Sequence, residues 1–359
     1  MEPILHSSDH LIAKLSSSFN NVTNTYKHYW FWSIIELLQE NPKSGYSFEE
    51  IGFKMLELVW YPLTFYKLSF GKQDSFVSIA QGINAKLSSE YLDVSSSIID
   101  VINYEITKAD INRIIARIMR YVPFRFLRPF YLNELRGIKD AKVNDSIISL
   151  ANKSINEVPY KFENDNIIIN ELWKDSFITN YRIIKDFIHR NLIGFLSKAN
   201  PNVIGISSKL ERPQSRNLSS QRKLYEEYLS TNRSLECLYS KVSLSTIESL
   251  DHFIPWSYVV HDHLWNLIPV TRSANSSKSN NLPSFDIYLD PFIEFQYSIA
   301  KYVHQSEGKR NFKNSYAMML NSDTLPHMDL FRKIYKDVFT PLKLNAANLG
   351  FSSNWKFNI

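Results

Sequence analysis

Glycine occurs only nine times in this chain of 359 residues, beside fourteen prolines. Tight β-turns use glycine wherever the backbone must take a positive φ, so a turn-dense, β-rich fold is poorly supplied here. Ile, Leu, Asn, Lys and Ser dominate instead, which suits helices. With 44% hydrophobic and 14% aromatic residues, the chain has material for a sizeable core and is no disordered tail. Its length allows two or three compact units. The expected class is mainly α with one small β-containing unit, α+β overall.

The lone cysteine, Cys237, excludes a disulfide framework and any zinc site built from paired Cys-x-x-Cys knuckles, so no structural zinc is expected. Cys237 itself reads as a small buried hydrophobe on a strand, and a reducing, cytoplasmic setting follows. Residues 1–18 lack a basic region followed by an apolar core, so no secretory signal is expected. The most apolar early stretch, Tyr29 to Leu38, is too short to cross a bilayer and contains Glu36; no membrane partner is expected. A net charge of +5 permits a polyanionic partner without demanding one.

Along the chain, residues 1–150 read as a helical module. Tyr26 to Gln39 is apolar at nearly every position, as in a buried helix. Ser47 and Glu50 form a capping box opening a helix over Phe48 to Val59, which Trp60-Tyr61-Pro62 should end. Trp60 and Tyr61 are candidate exposed aromatics for a protein partner. Lys108 to Tyr121 is amphipathic, with Ile111, Ile114, Ile115 and Ile118 on one stripe and Arg113, Arg117 and Arg120 on another; Pro123 should stop it. Residues 151–232 read as a connector: a hairpin over Val158 to Asn170, one long helix over Leu172 to Lys198, a basic loop over 202–217 and a short helix over Leu218 to Leu229. Residues 233–285 form a separate unit, and 286–359 return to helix packed on it.

The stretch that carries chemistry contains Asp251-His252, Asn266, Arg272, Asn275, Lys278, Asn281 and Pro283, patterned as strand, turn, strand, long loop, short apolar segment and short polar helix. Hydrolysis of a phosphodiester requires deprotonation of water near neutral pH, for which histidine is suited. It also requires charge neutralisation at phosphate, which hard divalent cations held by oxygen ligands provide. Asp251 and His252 are adjacent, so on a strand they point to opposite faces and need local twist to serve one phosphate.

This run resembles the HNH nuclease family, and most closely the HNH domain of the RNA-guided CRISPR effector nucleases. That pattern is Asp-His, an Asn fourteen residues after the His and another nine residues later, followed by Lys-Ser-x-Asn-x-Pro; here it falls on Asp251, His252, Asn266, Asn275, Lys278, Ser279, Asn281 and Pro283. The resemblance implies a ββα-metal unit that cleaves DNA, with duplex the expected substrate, leaving 5′-phosphate and 3′-hydroxyl ends. His252 would be the general base, Asn266 would orient it, and Asp251 and Asn275 would hold one Mg²⁺ or Mn²⁺. Lys278 would contact phosphate, as would Arg272, while Asn281 would brace the helix. It covers only about fifty residues, and neither the second nuclease nor the arginine-rich bridge of the CRISPR effectors is evident, so RNA guidance is not carried over. The layout resembles stand-alone bacterial HNH proteins near mobile and anti-phage genes, which implies a partner-activated subunit of a defence or toxin system, or a homodimer, as alternatives. A catalytically silent nucleic-acid-binding protein is a further one.

Three other features bear on the site. His261-Asp262-His263 looks like a metal cluster, but its place between strands favours a solvated loop. His304 and His327 stay unassigned. Residues 101–130 hold six basic residues against Glu105 and Asp110, and residues 209–223 hold five against Glu211, whereas 233–285 is balanced at four against four. Phosphate-binding surface is therefore expected from the flanks, above all from Arg113, Arg117 and Arg120; reversing the charge of Arg113 and Arg117 should weaken DNA binding and flatten its salt dependence.

Overall fold

A computed structural model of the chain describes residues 9–20, 22–86, 98–154, 157–213, 216–232 and 235–358. The chain divides into two compact units. The first runs to Pro201 and includes Ile206–Pro213; the second comprises Asn202–Gly205 and the chain from Gln214 on.

The first unit is helical. Its described elements are α1 (Asp9–Ser17), α2 (Tyr26–Glu40), β1 (Gly45–Ser47), α3 (Phe48–Trp60), α4 (Phe76–Asn84), α5 (Ile98–Glu105), α6 (Lys108–Met119), α7 (Val122–Arg125), α8 (Val143–Lys153), β2 (Tyr160–Glu163), β3 (Asn166–Ile169), α9 (Glu171–Thr179) and α10 (Tyr181–Ala199). Helix α2 buries a run from His28 to Ile35, apolar nearly all round, as a central helix must be. The capping box of α3 forms in both directions: Ser47 Oγ accepts from the Glu50 amide, and the Glu50 carboxylate accepts from the Ser47 amide. On α6, Ile111, Ile115 and Ile118 are buried while Arg113, Arg117 and Arg120 face outward; Ile114 is only half-buried.

The expected hairpin is β2 paired antiparallel with β3, joined at Asn164, whose φ of +52° is one that asparagine tolerates. β1 adds as a third strand, giving the order β1-β3-β2. Tyr160 links this sheet to α2: its hydroxyl accepts from Trp30 Nε1 at 3.0 Å and donates to the Pro123 carbonyl at 2.6 Å.

Several local expectations are corrected. The long helix over 172–198 is two helices, broken at Asn180, whose side chain bonds the Ser176 carbonyl and competes with the helical ladder. Pro62 does not end helical geometry. The chain continues as one π-turn over Tyr61–Phe65, closed by the Tyr66 amide on the Tyr61 carbonyl, so no bond needs the N–H that proline lacks. Pro123 sits in the first turn of α7, and the break that ends α6 lies at Tyr121. Trp60 and Tyr61 are both buried, and no exposed aromatic pair exists there.

The second unit holds α11 (Ser219–Asn232), β4 (Leu235–Glu236), β5 (Ser243–Leu244), β6 (Ser249–His252), α12 (Trp256–Val259), β7 (Leu267–Val270), α13 (Arg272–Lys278), α14 (Phe285–Gln305), α15 (Arg310–Leu320) and α16 (Met328–Asn348). One continuous core joins the small strands to the long helices. Phe253 stacks on Phe292 of α14 at 4.1 Å. Tyr225 of α11 and Gln296 of α14 both donate to the Leu267 carbonyl, at 2.7 and 2.6 Å, pinning the start of β7. Residues 282–284 hydrogen-bond to Ser352 and Trp355, so the segment after α13 is tied to residues near 355. No described helix is long and apolar enough to cross a membrane.

Candidate active site

β6 and β7 pair antiparallel, with Asp251 opposite Ile268 and His252 opposite Leu267. Thr271 then caps α13, its side chain accepting from the Ala274 amide. This is a strand–strand–helix unit. Along β6, Ser249 and Asp251 share the face turned to α13, and Asn275 and Lys278, one helical turn apart, meet them. Asn275 Nδ2 donates to Ser249 Oγ at 2.7 Å, and Lys278 Nζ donates to Asp251 Oδ1 at 3.0 Å.

Asp251 is enclosed. Oδ2 accepts from the Tyr239 hydroxyl at 2.8 Å, and the Lys278 ammonium also binds the His252 carbonyl at 2.8 Å. Lys278 is completely buried. Burial pushes its ammonium down from the usual range, against the opposing pull of Asp251, while burial and then the Asp251 charge push the Tyr239 hydroxyl well up. Lys278 therefore does not present its charge to a ligand outside the unit: it is the counter-ion of Asp251. That corrects its expected role as an outward phosphate contact, because a buried ammonium needs a nearby carboxylate far more than a solvated phosphate.

His252 lies on the other face of β6. Its Nε2 is 2.8 Å from Asp262 Oδ1, and its Nδ1 is 3.5 Å from the Arg216 guanidinium. An ionised carboxylate only accepts, so the imidazole proton sits on Nε2 and the lone pair is at Nδ1. Burial lowers the imidazole pKa below its ordinary 6.5, although the Asp262 bond opposes the shift, and the ring is neutral near pH 7. Burial raises the Asp262 carboxyl, but the His252 bond and the charges of His252 and Arg216 outweigh it and leave the group below the usual carboxylate range.

Asp262 is the residue that the sequence reading missed. The segment 261–263 is not a solvated loop. The His261 and His263 rings pack 4.5 Å apart and lie 4.9 and 5.9 Å from the Trp265 ring, and all three residues are half-buried. Burial takes His261 down to about 4. An acidic residue in a chain-reversing loop between the strands was the available signal.

Asn266 makes no bond to the imidazole. It is fully buried and holds Ile254 at both ends, its Oδ1 accepting from the Ile254 amide and its Nδ2 donating to the Ile254 carbonyl, each at 2.9 Å. It fixes the turn that leaves His252, so any orienting effect passes through the backbone. Arg272 is exposed, with its amide bonded to Glu248, and Asn281 is half-buried, its amide on the Lys278 carbonyl. Cys237 lies just beyond β4 and is buried among polar partners; its sulfur accepts from the Thr271 amide at 3.4 Å. His304 bonds the Ala300 carbonyl within α14, and His327 occupies the position before α16 without a capping bond from its side chain.

The flanking basic residues are less available than their count implies. Lys209 is fully buried, and Arg216 and Arg222 are used inside the second unit, at His252 and at the Ile247 carbonyl. In the first unit, Arg113 is bound to Asp110 at 2.8 Å, whereas Arg117 and Arg120 line a cavity.

For a hard divalent ion the donor types fit. Asp251 retains unused lone pairs, and Asn275 Oδ1 accepts no hydrogen bond among the described residues. No cluster of three or more His, Cys, Asp or Glu suited to a metal occurs among the described residues, so an ion here would rest on one carboxylate, an amide oxygen and water. No curated protein and no solved structure matches the chain. Residues 237–284, which include Tyr239, Ser249, Asp251, His252, Asp262, Asn266, Asn275 and Lys278, match the family model of the HNH endonucleases, a match that supports a nuclease domain in this stretch.

Proposed function

We propose that the protein is a metal-dependent endonuclease that hydrolyses phosphodiester bonds in DNA, duplex by preference. The observation that supports this best is the His252–Asp262 pair. It leaves a neutral imidazole whose Nδ1 lone pair faces Arg216 at 3.5 Å, in the same strand–strand–helix unit as Asp251 and Asn275 but on the opposite face of β6. His252 Nδ1 takes a proton from water as the water oxygen bonds to phosphorus. The bond from phosphorus to the 3′-oxygen breaks, the 3′-oxygen gains a proton from solvent, and a 5′-phosphate remains. Asp262 holds Nε2–H and stabilises the imidazolium that forms. Asp251 and Asn275 would hold Mg²⁺ or Mn²⁺, which when bound would supply charge neutralisation at the scissile phosphate. Asn266 keeps the backbone beyond His252 in place, and Arg272 at the exposed start of α13 reaches the DNA backbone.

Nicking of a supercoiled plasmid in Mg²⁺ or Mn²⁺ tests the reading. Cleavage should vanish in EDTA and in His252→Ala; equal cleavage by His252→Ala overturns it. One site cuts one strand, so a double-strand break requires two protomers or two successive nicks.

A second reading rests on the enclosed carboxylate. Both Asp251 oxygens are bonded, to Lys278 and Tyr239, so one of these contacts must give way before the carboxylate takes an ion, and this favours a regulated subunit. A nuclease subunit of a bacterial defence or toxin system, opened by a partner or signal, would look like this. Silence of the isolated chain with cleavage restored by co-encoded proteins distinguishes it; binding without cleavage under either condition leaves a catalytically silent nucleic-acid-binding protein.

A further inference from the structure

A cavity of about 460 Å³ opens in the first unit, walled by α2, by the end of α6 and by α7. Four of its side chains are cations: Lys27 from α2, Arg117 and Arg120 from the end of α6, and Arg125 from α7. None of its lining residues is Asp or Glu. Like charges gathered around one concavity repel, and low-dielectric walls strengthen their field toward an incoming anion.

These charges are only partly answered inside the protein. Arg125 pairs with Asp140 at 2.9 Å. Arg117 donates to Ser78 Oγ and Lys27 to the Ser18 carbonyl, both at 3.0 Å and both neutral acceptors. Arg120 lies over the Tyr121 ring, its guanidinium carbon 5.0 Å from the centroid, with that of Arg125 at 4.6 Å. Burial, then the charge of Arg128, lowers the Lys27 ammonium from its usual range. The nearby carboxylate of Asp74 is turned away, accepting from the Thr25 and Phe76 amides.

We propose that this cavity binds a nucleotide carrying a polyphosphate. With Arg125 paired to Asp140, Lys27, Arg117 and Arg120 remain to meet phosphate charge, and guanidinium groups take phosphate oxygens in pairs. Tyr121, a residue 45% exposed, forms a cation–aromatic cluster with the guanidiniums over its ring, planar groups on which a base can stack, and Asn24 and Gln73 on the wall can bond the base edge. The volume is in the roughly 300–1,000 Å³ range of small-molecule sites. A nucleic-acid track would continue along α6, but it does not: Arg113 is bound to Asp110, which also holds Lys86. The cations converge on one concavity from separate helices. This inference is independent of the nuclease reading.

Isothermal titration calorimetry on the full chain in EDTA, which keeps the nuclease question out, tests it. The probes are the four nucleoside triphosphates, inorganic tripolyphosphate and a short duplex DNA. At least one nucleoside triphosphate should bind one-to-one, about tenfold or more tighter than tripolyphosphate. Arg117→Ala and Arg120→Ala should each weaken it at least about tenfold, as expected for loss of a charged hydrogen bond, with unchanged circular dichroism. Arg113→Ala should leave it intact. Equal affinity for tripolyphosphate, an equal loss in Arg113→Ala, or binding of DNA alone would overturn the proposal.

Discussion

The Nε2 atom of His252 lies 2.8 Å from Oδ1 of Asp262, a residue ten positions further along the chain and on the loop between the two strands. The contact sets the tautomer of a buried imidazole and, under the proposed reaction, places a negative charge where imidazolium would form. Its removal should therefore be felt in turnover more than in binding.

Asp262→Ala is expected to lower kcat by roughly 100-fold, at the lower end of what positioned acid–base catalysis contributes, with KM changed little. Asp262→Asn, which keeps an acceptor but loses the charge, should fall between the two. Steady-state cleavage of a labelled duplex measures both; a loss confined to KM would show that Asp262 serves only substrate binding.

Lys278→Met strips the counter-ion from a buried carboxylate and should cost about 3–5 kcal/mol of stability. Combining it with Asp251→Leu should cost clearly less than the two single losses added together, because the partners are removed at once. Urea denaturation of the three variants reads the coupling. Strict additivity would mean that the 3.0 Å contact carries none.

Asn266→Ala leaves the amide and the carbonyl of Ile254 buried without partners. Each such group costs about 1–3 kcal/mol, so a loss of about 2–5 kcal/mol is expected, well above that of an ordinary surface substitution. Thermal and urea unfolding provide the measurement. A change near zero would show that water replaces the side chain.

His28, in the first unit, is 1% exposed, and burial lowers its imidazole from 6.5 to about 4. The unfolded chain binds its proton near 6.5, whereas the folded chain resists until about 4. Stability linked to this group is complete above pH 6.5 and is lost as pH falls toward 4, by up to about 3 kcal/mol. Unfolding midpoints from pH 7 to pH 4 should fall less steeply in His28→Phe than in the parent chain; equal slopes would assign the acid sensitivity to other groups.

Local sequence determined the elements whose cues are local. The largely apolar run of α2, the Ser47–Glu50 box, the isoleucine stripe of α6 and the 160–169 hairpin each follow from periodicity or turn chemistry within a few residues. The strand–strand–helix unit was legible through the spacing of Asp251, His252, Asn266, Asn275 and Lys278, which resembles the HNH pattern, although a long loop joins its two strands. Only the tertiary structure decided what those side chains face. Neither Asn180, which breaks a helix with no proline or glycine nearby, nor the π-turn that carries helical geometry through Pro62 has a signature in hydrophobic pattern. The Asp262–His252 bond, the burial of Lys278 against Asp251, and the gathering of Lys27 with Arg117 and Arg120 depend on how distant segments pack. Periodicity records which face of an element is buried; it holds no information on which polar group waits on the other side, because that is set by the path of loops and by the cost of leaving a charge without a partner.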